Sequence, residues 1–252
     1  MKKFSVYALM MALVAVGQLA AGTLQVFKFD VGNNNYAART TAANSKLLQL
    51  AGGGTLVDKE NFEGFTASNA PGNTYTSLNT GIGTFSTLAG NQVGSATAGN
   101  NRTVGFTILD SKTTPFSGRY NTSPGVNSKN WLDSNDNTKI GLTLNPPLNN
   151  LYFFMTDEGD QGGRVTVKTN QSNAADDVQL SNGNKNGTLY LLFWQGNAGE
   201  MIQTLEFSNT SRSDGFGLDR FGTIAPEPGF YGVLAAGFVG LAFAARRRKL
   251  SV

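Results

Sequence analysis

Clustered carboxylates are the groups in this 252-residue chain whose spacing could support chemistry. They occur in three short segments, 133–137 (DSNDN), 157–160 (DEGD) and 214–219 (DGFGLD). Carboxylate and carbonyl oxygens are the ligands of calcium, which takes roughly 6–8 of them. Two carboxyl groups roughly 5–10 Å apart in a groove could instead hydrolyse a glycosidic bond. The segments therefore leave three interpretations open: calcium ligands, a catalytic pair or acidic turns.

The segment 157–160 directly follows an apolar run at 151–155, which is typical of a buried strand. Its acidic residues Asp157, Glu158 and Asp160 surround one glycine, and three like charges are difficult to bury without partners. We therefore expect a loop that either supplies calcium ligands or forms a solvated turn. The solvated turn is favoured, because the sequence does not show a complete ligand set.

The segment 214–219 contains Asp214 and Asp219. Asp219 lies within an apolar strand pattern between Leu218 and Phe221, where an unpaired carboxylate would be costly. It therefore needs backbone N–H groups, an arginine or a cation as partner. Arg220 is adjacent, but on a regular strand it points to the opposite face. A structural calcium ion and a turn organised by hydrogen bonds are both compatible with this pattern.

The segment 133–137 has the D-x-N-x-N opening of a calcium-binding EF-hand loop. Thr138 stands where that loop requires glycine, and Leu144 stands where it requires a bidentate glutamate. The segment is therefore interpreted mainly as a turn rich in Asn and Asp.

Aromatic and cationic side chains suggest a second kind of site, a carbohydrate-binding surface. Tyr120, Trp131 and Arg119 are its candidates, since rings and guanidinium groups suit sugar contacts. Trp131 lies among polar residues and is predicted to be exposed, whereas Trp194 ends an apolar run and is predicted to be in the core. Tyr120 and Trp131 are thus the candidate ligand-binding residues.

The chain contains neither histidine nor cysteine. Catalytic triads with histidine, Cys-His dyads and imidazole ligands for zinc or copper are therefore excluded. With no strong catalytic constellation left, we expect a non-enzymatic protein that requires no cofactor, with calcium as the one ion that its acidic loops could bind.

Short apolar runs separated by Gly, Asn, Ser and Thr predict strands and turns. The predicted strands lie at 24–29, 84–88, 103–109, 139–144, 151–155, 164–168, 189–194, 201–207 and 217–223. Those at 151–155 and 189–194 are continuously apolar, which predicts central strands buried on both faces. One short helix is predicted at 42–50. The pattern predicts an all-β fold, a single β-sandwich of about ten strands.

The N-terminus has the three regions of a secretory signal peptide. Lys2 and Lys3 precede an apolar stretch at 6–16, and small residues at 20–22 offer a cleavage site after Gly22. Residues 1–22 are therefore predicted to be removed by signal peptidase.

The C-terminus has three parts in a fixed order: Pro226-Glu227-Pro228, an uncharged run at 229–245, and four cations. The cations are Arg246, Arg247, Arg248 and Lys249. The uncharged run is at the short end of the length that a membrane-crossing helix needs, and the basic cluster holds the end of the chain in the cytoplasm. This arrangement resembles the PEP-CTERM protein-sorting signal of Gram-negative bacteria. The resemblance implies a transmembrane sorting helix that anchors the chain transiently in the inner membrane, and processing by an exosortase.

Between the two terminal segments lies a domain at 23–225, followed by the sorting signal at 226–252. Without the six basic residues and Glu227 of the terminal segments, the domain has 14 basic and 16 acidic residues, a net charge of −2. The sequence pI of about 9.1 thus reflects the terminal segments. Nucleic-acid binding, which requires a basic face, is not expected.

The domain also resembles the jelly-roll β-domains that occur ahead of PEP-CTERM signals. The segments that carry this likeness are 61–65 (NFEGF), 118–122 (GRYNT) and 214–219 (DGFGLD). The sequence thus predicts an exported, non-enzymatic β-sandwich of the cell surface or extracellular polysaccharide matrix. The alternatives are a carbohydrate- or calcium-binding module, favoured if the loops at Asp157 and Asp214 meet, and a polysaccharide-active enzyme with paired carboxylates.

Overall fold

A computed structural model of the chain describes most of the central domain. The described residues are 22–30, 35–67, 74–93, 105–110, 118–125, 127–157, 163–171, 178–180, 187–226 and 237–239. Several predicted features lie outside them: the signal peptide up to residue 21, Glu158 and Asp160, and the sorting signal apart from Pro226 and 237–239. Among the described residues, no helix is both long and apolar enough to cross a membrane.

The first sheet is antiparallel and contains seven strands. They are β1 (Leu24–Phe29), β2 (Thr55–Glu60), β5 (Thr107–Asp110), β6 (Asn130–Asp133), β8 (Asn150–Thr156), β11 (Leu189–Gln195) and β13 (Gly217–Ala225). Their order across the sheet is β1-β11-β8-β13-β6-β5, and β2 pairs with the C-terminal half of β13.

The second sheet is also antiparallel and contains six strands. They are β3 (Ser77–Asn79), β4 (Gly83–Thr87), β7 (Lys139–Leu148), β9 (Val165–Thr169), β10 (Val178–Leu180) and β12 (Ile202–Asn209). Their order is β10-β9-β12-β7-β4-β3. The predicted β-sandwich is confirmed, with thirteen described strands instead of about ten. The sequence pattern missed β2, β3, β6 and β10, of which β3 and β10 have only three residues each.

One helix, α1 (Tyr36–Ala51), packs on the outer face of the first sheet. The Asn35 side chain caps its first turn by accepting a hydrogen bond from the Ala38 amide at 3.0 Å. The helix ends at Gly52, whose φ of 57° is the left-handed conformation typical of a helix C-terminus. The prediction placed the start of the helix too late, at residue 42, because the polar residues of the first turns hid the periodicity.

Two apolar clusters hold these layers together. The larger one lies between the sheets, where the rings of Phe153 and Phe221 stack with centroids 5.0 Å apart. The smaller one lies between the first sheet and α1, where Ala43 and Leu47 contact Tyr152, Phe154 and neighbouring residues. Strands β8 and β11 contribute to both clusters. Their predicted burial on both faces is therefore confirmed, because the helix covers the face that the second sheet does not.

Candidate functional site

The three acidic segments come together at one end of the first sheet. Asp133 ends β6, Asp157 follows β8, and Gly215 precedes β13, which pairs with both of these strands. Strand pairing aligns Gly217 with Asp133 on one side and with Thr156 on the other. Segments distant in sequence therefore meet because their strands are neighbours in the sheet.

The centre of this cluster is occupied by a guanidinium group, that of Arg119. Its Nη1 lies 3.2 Å from Asp133 Oδ1, its Nη2 lies 3.8 Å from Asp136 Oδ1, and its Nε lies 3.5 Å from Asp157 Oδ2. Arg119 is 6% exposed and the three carboxylates are at most 3% exposed. We call these four residues the Arg119 cluster. It is an internal ion network whose three anions converge on one cation.

The electrostatics of the cluster follow from burial and from its excess of negative charge. Burial alone would lower the pKa of Arg119, but the carboxylates of Asp133, Asp157 and Asp136 outweigh it and hold that pKa above its usual range. Burial raises the pKa of Asp136, and the neighbouring Asp133 raises it further while Arg119 acts in the opposite direction. The guanidinium therefore remains charged, and Asp136 binds a proton more readily than an ordinary aspartate.

The backbone around the carboxylates is held in an uncommon conformation. Asn135, Asp136 and Asp157 have φ of 53°, 58° and 59°, in the left-handed region that Asn and Asp tolerate better than most residues. The Asn135 amide donates to Asp133 Oδ1 at 2.8 Å, and the Asn137 amide donates to the Ser134 carbonyl at 3.0 Å. The predicted Asn/Asp-rich turn is thus confirmed, and its conformation turns the side chain of Asp136 towards Arg119.

Gly215 forms one wall of the cluster. A Cβ atom at this position would lie 2.6 Å from both terminal nitrogens of Arg119, so a larger residue here would have to displace the guanidinium from its three carboxylates. The neighbouring Asp214 is fully buried, and its Oδ2 accepts a hydrogen bond from the Gly163 amide at 3.0 Å. The loops at Asp157 and Asp214 therefore do meet, but a protein cation lies between them.

The prediction of a solvated turn is wrong at Asp157. This residue is 2% exposed, because its Oδ1 accepts from the Gly187 amide at 2.8 Å and its Oδ2 faces Arg119. The prediction considered only the like charges within the loop. It did not include Arg119, which comes from another segment and lies beside Asp157 in the fold. Within the described part of the chain, no group of three or more carboxylate side chains is arranged to hold a metal ion.

Asp219 forms a second buried acidic site, separate from the Arg119 cluster. Its Oδ2 accepts from the Thr122 amide at 2.6 Å, the Thr122 hydroxyl at 2.9 Å and the Ser123 amide at 3.0 Å. Its Oδ1 accepts from the Ser123 hydroxyl at 3.2 Å and the Arg220 amide at 2.7 Å. The predicted need for a partner is confirmed, and backbone N–H groups and hydroxyls meet it. Burial raises the pKa of Asp219 to about 7, and these hydrogen bonds act against that rise.

Arg220 does not point away from the face of Asp219, contrary to the prediction for a regular strand. Its φ of 48° and the register shift between Asp219 and Gly222 mark a bulge in β13. The guanidinium lies over the rings of Tyr152 and Phe154 at 5.9 and 5.8 Å, on the sheet face under α1. Asp219 pairs with Phe154 in register and so shares that face.

The two candidate sugar-binding rings are buried. Trp131 lies in β6 and is 0% exposed, so its predicted place in an exposed loop is wrong. Tyr120 is 7% exposed; its ring stacks on Tyr36 at 4.4 Å, and its hydroxyl donates to the Gly187 carbonyl at 3.2 Å. Polar neighbours in the sequence misled the prediction, because those neighbours are themselves buried. The core position predicted for Trp194 is confirmed.

Arg39 on α1 is a buried polar residue that the sequence pattern did not predict; it is 2% exposed. Its Nη1 donates to the Gly187 carbonyl, which also accepts from Tyr120. The available signal was the position of this arginine. It lies four residues before Ala43 and eight before Leu47, on the helix face whose other buried residues are small or apolar.

The outer face of the second sheet has a groove lined by both polar and apolar residues. Its cavity of about 350 Å³ is open to solvent and lies across β4, β7, β12 and β9. The polar side chains that line it include Ser86, Thr143, Lys168, Thr204 and Glu206. They face outward because strand side chains alternate and the intervening residues point into the core. Unlike the Arg119 cluster, this groove can be reached by a ligand.

Comparison with known proteins gives no relationship on which to base a function. No protein-family model matches the chain, and no curated protein matches it in sequence. The function must therefore be argued from the residues and their geometry.

Proposed function

We propose that this protein is an exported, non-enzymatic β-sandwich of the cell surface or extracellular polysaccharide matrix, sorted by an exosortase-type system. The observation that carries the non-enzymatic part is the Arg119 cluster. Its carboxylates, which were the candidates for catalysis, converge on a buried internal cation. A general acid or base must reach a substrate proton at hydrogen-bond distance, and side chains at most 4% exposed do not offer that access.

The strand order supports assignment to the jelly-roll class. Strands β6 to β13 form two four-stranded arrays, β6-β13-β8-β11 in one sheet and β7-β12-β9-β10 in the other. Each connection from β6 to β13 passes from one sheet to the other, except that β9 and β10 are neighbours in the second sheet. Eight strands arranged in this way in two sheets are typical of a jelly roll. In this scheme β1 to β5 and α1 are additions that extend the edges of the sheets and cover one face.

The export route rests on the sequence of the two terminal segments. Signal peptidase would remove the N-terminal segment, and an exosortase would recognise Pro226-Glu227-Pro228 while the helix at 229–245 holds the chain in the inner membrane. Intact-mass measurement of protein extracted from the cell surface tests this route. A dominant species that retains the basic cluster at 246–249 would contradict sorting and indicate a permanent anchor.

A second candidate function is binding of a neutral or weakly charged polysaccharide in the groove of the second sheet. Hydroxyl groups of Ser86, Thr143 and Thr204 beside Lys168 and Glu206 can form hydrogen bonds with sugar hydroxyls. Binding of this kind depends weakly on salt, because it does not rest on long-range charge attraction. The groove replaces Tyr120 and Trp131 as the candidate binding surface.

A binding measurement with the organism's own exopolysaccharide, at low and high salt, tests this second candidate. Thr143→Ala combined with Thr204→Ala should weaken binding. Thr23→Ala is the control, because Thr23 is exposed, precedes β1 of the other sheet and does not line the groove. Shortened chains or released reducing sugar, lost on substitution of one Asp or Glu, would instead establish a polysaccharide-active enzyme.

A further inference from the structure

Gly22, the first described residue, is held by hydrogen bonds to two side chains of the folded domain. Its amide donates to Glu200 Oε2 at 2.9 Å, and its carbonyl accepts from the indole Nε1 of Trp194 at 3.0 Å. A Cβ atom at this position would lie 2.7 Å from the Gln195 carbonyl oxygen and 2.9 Å from Gly196 Cα. Both backbone polar groups and the space beside the α-carbon are therefore in use, so Gly22 belongs to the folded domain.

The carboxylate that receives the Gly22 amide is oriented by its own loop. Glu200 Oε2 also accepts from the Asn197 amide at 2.9 Å, and the Glu200 amide donates back to the Asn197 carbonyl at 3.0 Å. These contacts close the turn between β11 and β12. They fix an anion beside the nitrogen of Gly22, which is a suitable arrangement for an α-ammonium group.

We propose that signal peptidase hydrolyses the Ala21–Gly22 bond and that Glu200 captures the new α-ammonium group of Gly22. Water is consumed, Ala21 leaves as a carboxylate, and the released Gly22 nitrogen takes up a proton. The inference rests on the proposed export of the protein and moves the cleavage site by one residue from the bond after Gly22. Cleavage after Gly22 would remove the acceptor of the Trp194 indole and one partner of Glu200.

The amino acids around the bond permit this cleavage. Cleavage at Ala21–Gly22 places the small Ala21 directly before the bond and Leu19 two residues further upstream, whereas cleavage after Gly22 places Gly22 and Ala20 at these two positions. Both bonds therefore have a small residue directly before them, and the complete A-x-A-like pattern occurs only at the bond after Gly22. Of these two cleavages, the one at Ala21–Gly22 keeps the glycine that the crowded position beside Gln195 requires, so the geometry of the folded domain favours this bond. Cleavage also changes the contact, because a neutral amide donor becomes a cation about 3 Å from a carboxylate, and charge-assisted hydrogen bonds are the stronger kind.

The direct experiment is N-terminal sequencing of the mature protein isolated from exporting cells. A sequence that begins with Gly22 supports the proposal. A sequence that begins with Thr23 overturns it and leaves the export proposal intact. A chain that begins with Met1 contradicts both.

The capture by Glu200 is tested by acylation of the α-amine at pH 8. A neighbouring carboxylate favours the ammonium form, so the pKa of the α-amine should rise above its usual value of about 8. We expect the mature protein to be acylated at Gly22 about 3–10-fold more slowly than the Glu200→Gln variant. Equal rates would overturn the capture. A merely structural role of Glu200 in the Asn197 turn would not change this rate.

Gly22→Ala provides an independent test, because alanine keeps the cleavage site but its Cβ cannot fit beside Gln195 and Gly196. We expect the emission of Trp194 to shift to the red and the melting temperature to fall by about 2 °C. The control is Thr23→Ala, since Thr23 is exposed. Identical emission and melting of Gly22→Ala and Thr23→Ala would show that Gly22 is not docked.

Discussion

Two of the buried acidic sites that the structure describes are stabilised in different ways. In the Arg119 cluster, Asp133, Asp136 and Asp157 converge on one guanidinium at 3.2–3.8 Å. At the other site, Asp219 has no such cation among the described residues and accepts hydrogen bonds from amides and hydroxyls. The first site balances charge with charge, whereas the second surrounds one carboxyl group with dipoles.

One loop, residues 118–123, serves both sites. It supplies Arg119 to the cluster, and it supplies the amide and hydroxyl groups of Thr122 and Ser123 to Asp219. The difference between the sites shows that a buried carboxylate does not by itself indicate a metal or catalytic centre. The identity of the partner decides its role, and here both partners come from the protein.

The largest expected effect is that of removing the shared cation. Arg119→Met preserves much of the side-chain volume but leaves three buried carboxylates without their cation. We expect the free energy of unfolding to fall by about 3–5 kcal/mol, as for other buried ion networks that lose one member. Urea denaturation measures this loss. Arg212→Met, on an exposed residue, is the control and should change the free energy by less than about 0.5 kcal/mol. A loss below about 1 kcal/mol for Arg119→Met would contradict the internal ion network.

The second prediction concerns the pH dependence that Asp219 contributes. Its pKa of about 7 in the folded protein exceeds the ordinary value, so the folded state keeps a proton that the unfolded chain has released. This contribution to stability is complete below about pH 4 and is lost as the pH rises through 7. Relative to Asp219→Asn, the wild type should therefore lose about 2–4 kcal/mol between pH 4 and pH 8.

Urea midpoints of the two proteins across this range provide the measurement, and their difference cancels the titration of the other groups. If the free energy of unfolding of the wild type, relative to Asp219→Asn, instead increased with pH, the opposite protonation state would be established. The carboxylate would then be ionised in the folded protein, and its five hydrogen bonds would outweigh its burial.

A smaller effect is expected from crowding the Arg119 cluster. The Cβ of Gly215→Ala would lie 2.6 Å from the terminal nitrogens of Arg119, and three carboxylates hold that guanidinium in place. We expect a loss of about 1–3 kcal/mol by urea denaturation. Gly64→Ala is the matched control, because its Cβ would meet no atom within 4 Å.

The double variant Arg119→Met with Gly215→Ala separates crowding from other effects of the alanine. Since methionine has no guanidinium at this position, the cost of Gly215→Ala should be smaller in that background. Additive losses would mean that Gly215 does not act through Arg119.

The smallest effect is expected from removing calcium. The acidic loops that could have bound it meet around Arg119, so chelation should change the melting temperature by less than about 1 °C. Thermal melts with chelator and with added calcium provide the test. A fall in melting temperature that calcium restores would contradict this prediction and return the loops to the role of a metal site, by mass action on the folded state.

Local patterns predicted the strands of the sandwich well. Strand β1 has the predicted bounds, and β8 and β11 are buried on both faces as their continuous apolar runs indicated. Alternation also placed Ile140, Leu142 and Leu144 on the buried face of β7. These features follow from nearest-neighbour geometry, because a strand carries its two-residue period wherever it lies in the fold. The same rule failed at Arg220, where a bulge breaks the alternation.

Short edge strands and buried polar residues were not predictable in this way. Strands β3 and β10 are too short to show a period. Trp131 has the polar neighbours of an exposed residue, yet it is fully buried in β6. Its neighbours are buried too because they have partners in other segments: Asn130 donates to the Phe62 and Phe65 carbonyls, and Asp133 pairs with Arg119. Burial of a polar group depends on whether a partner arrives from elsewhere in the chain, and that partner is invisible to a local window.

By itself, the sequence determined the all-β class, the identity of the central strands and the absence of the histidine and cysteine chemistries. These depend on composition and on periods of a few residues. Tertiary structure alone decided that three acidic segments would meet at Arg119, that Asp219 would receive its donors from residues 122 and 123, and that Gly22 would contact Glu200. Each of these contacts joins residues brought together by sheet pairing or loop closure, and the energy of a buried charge depends on its neighbours in space.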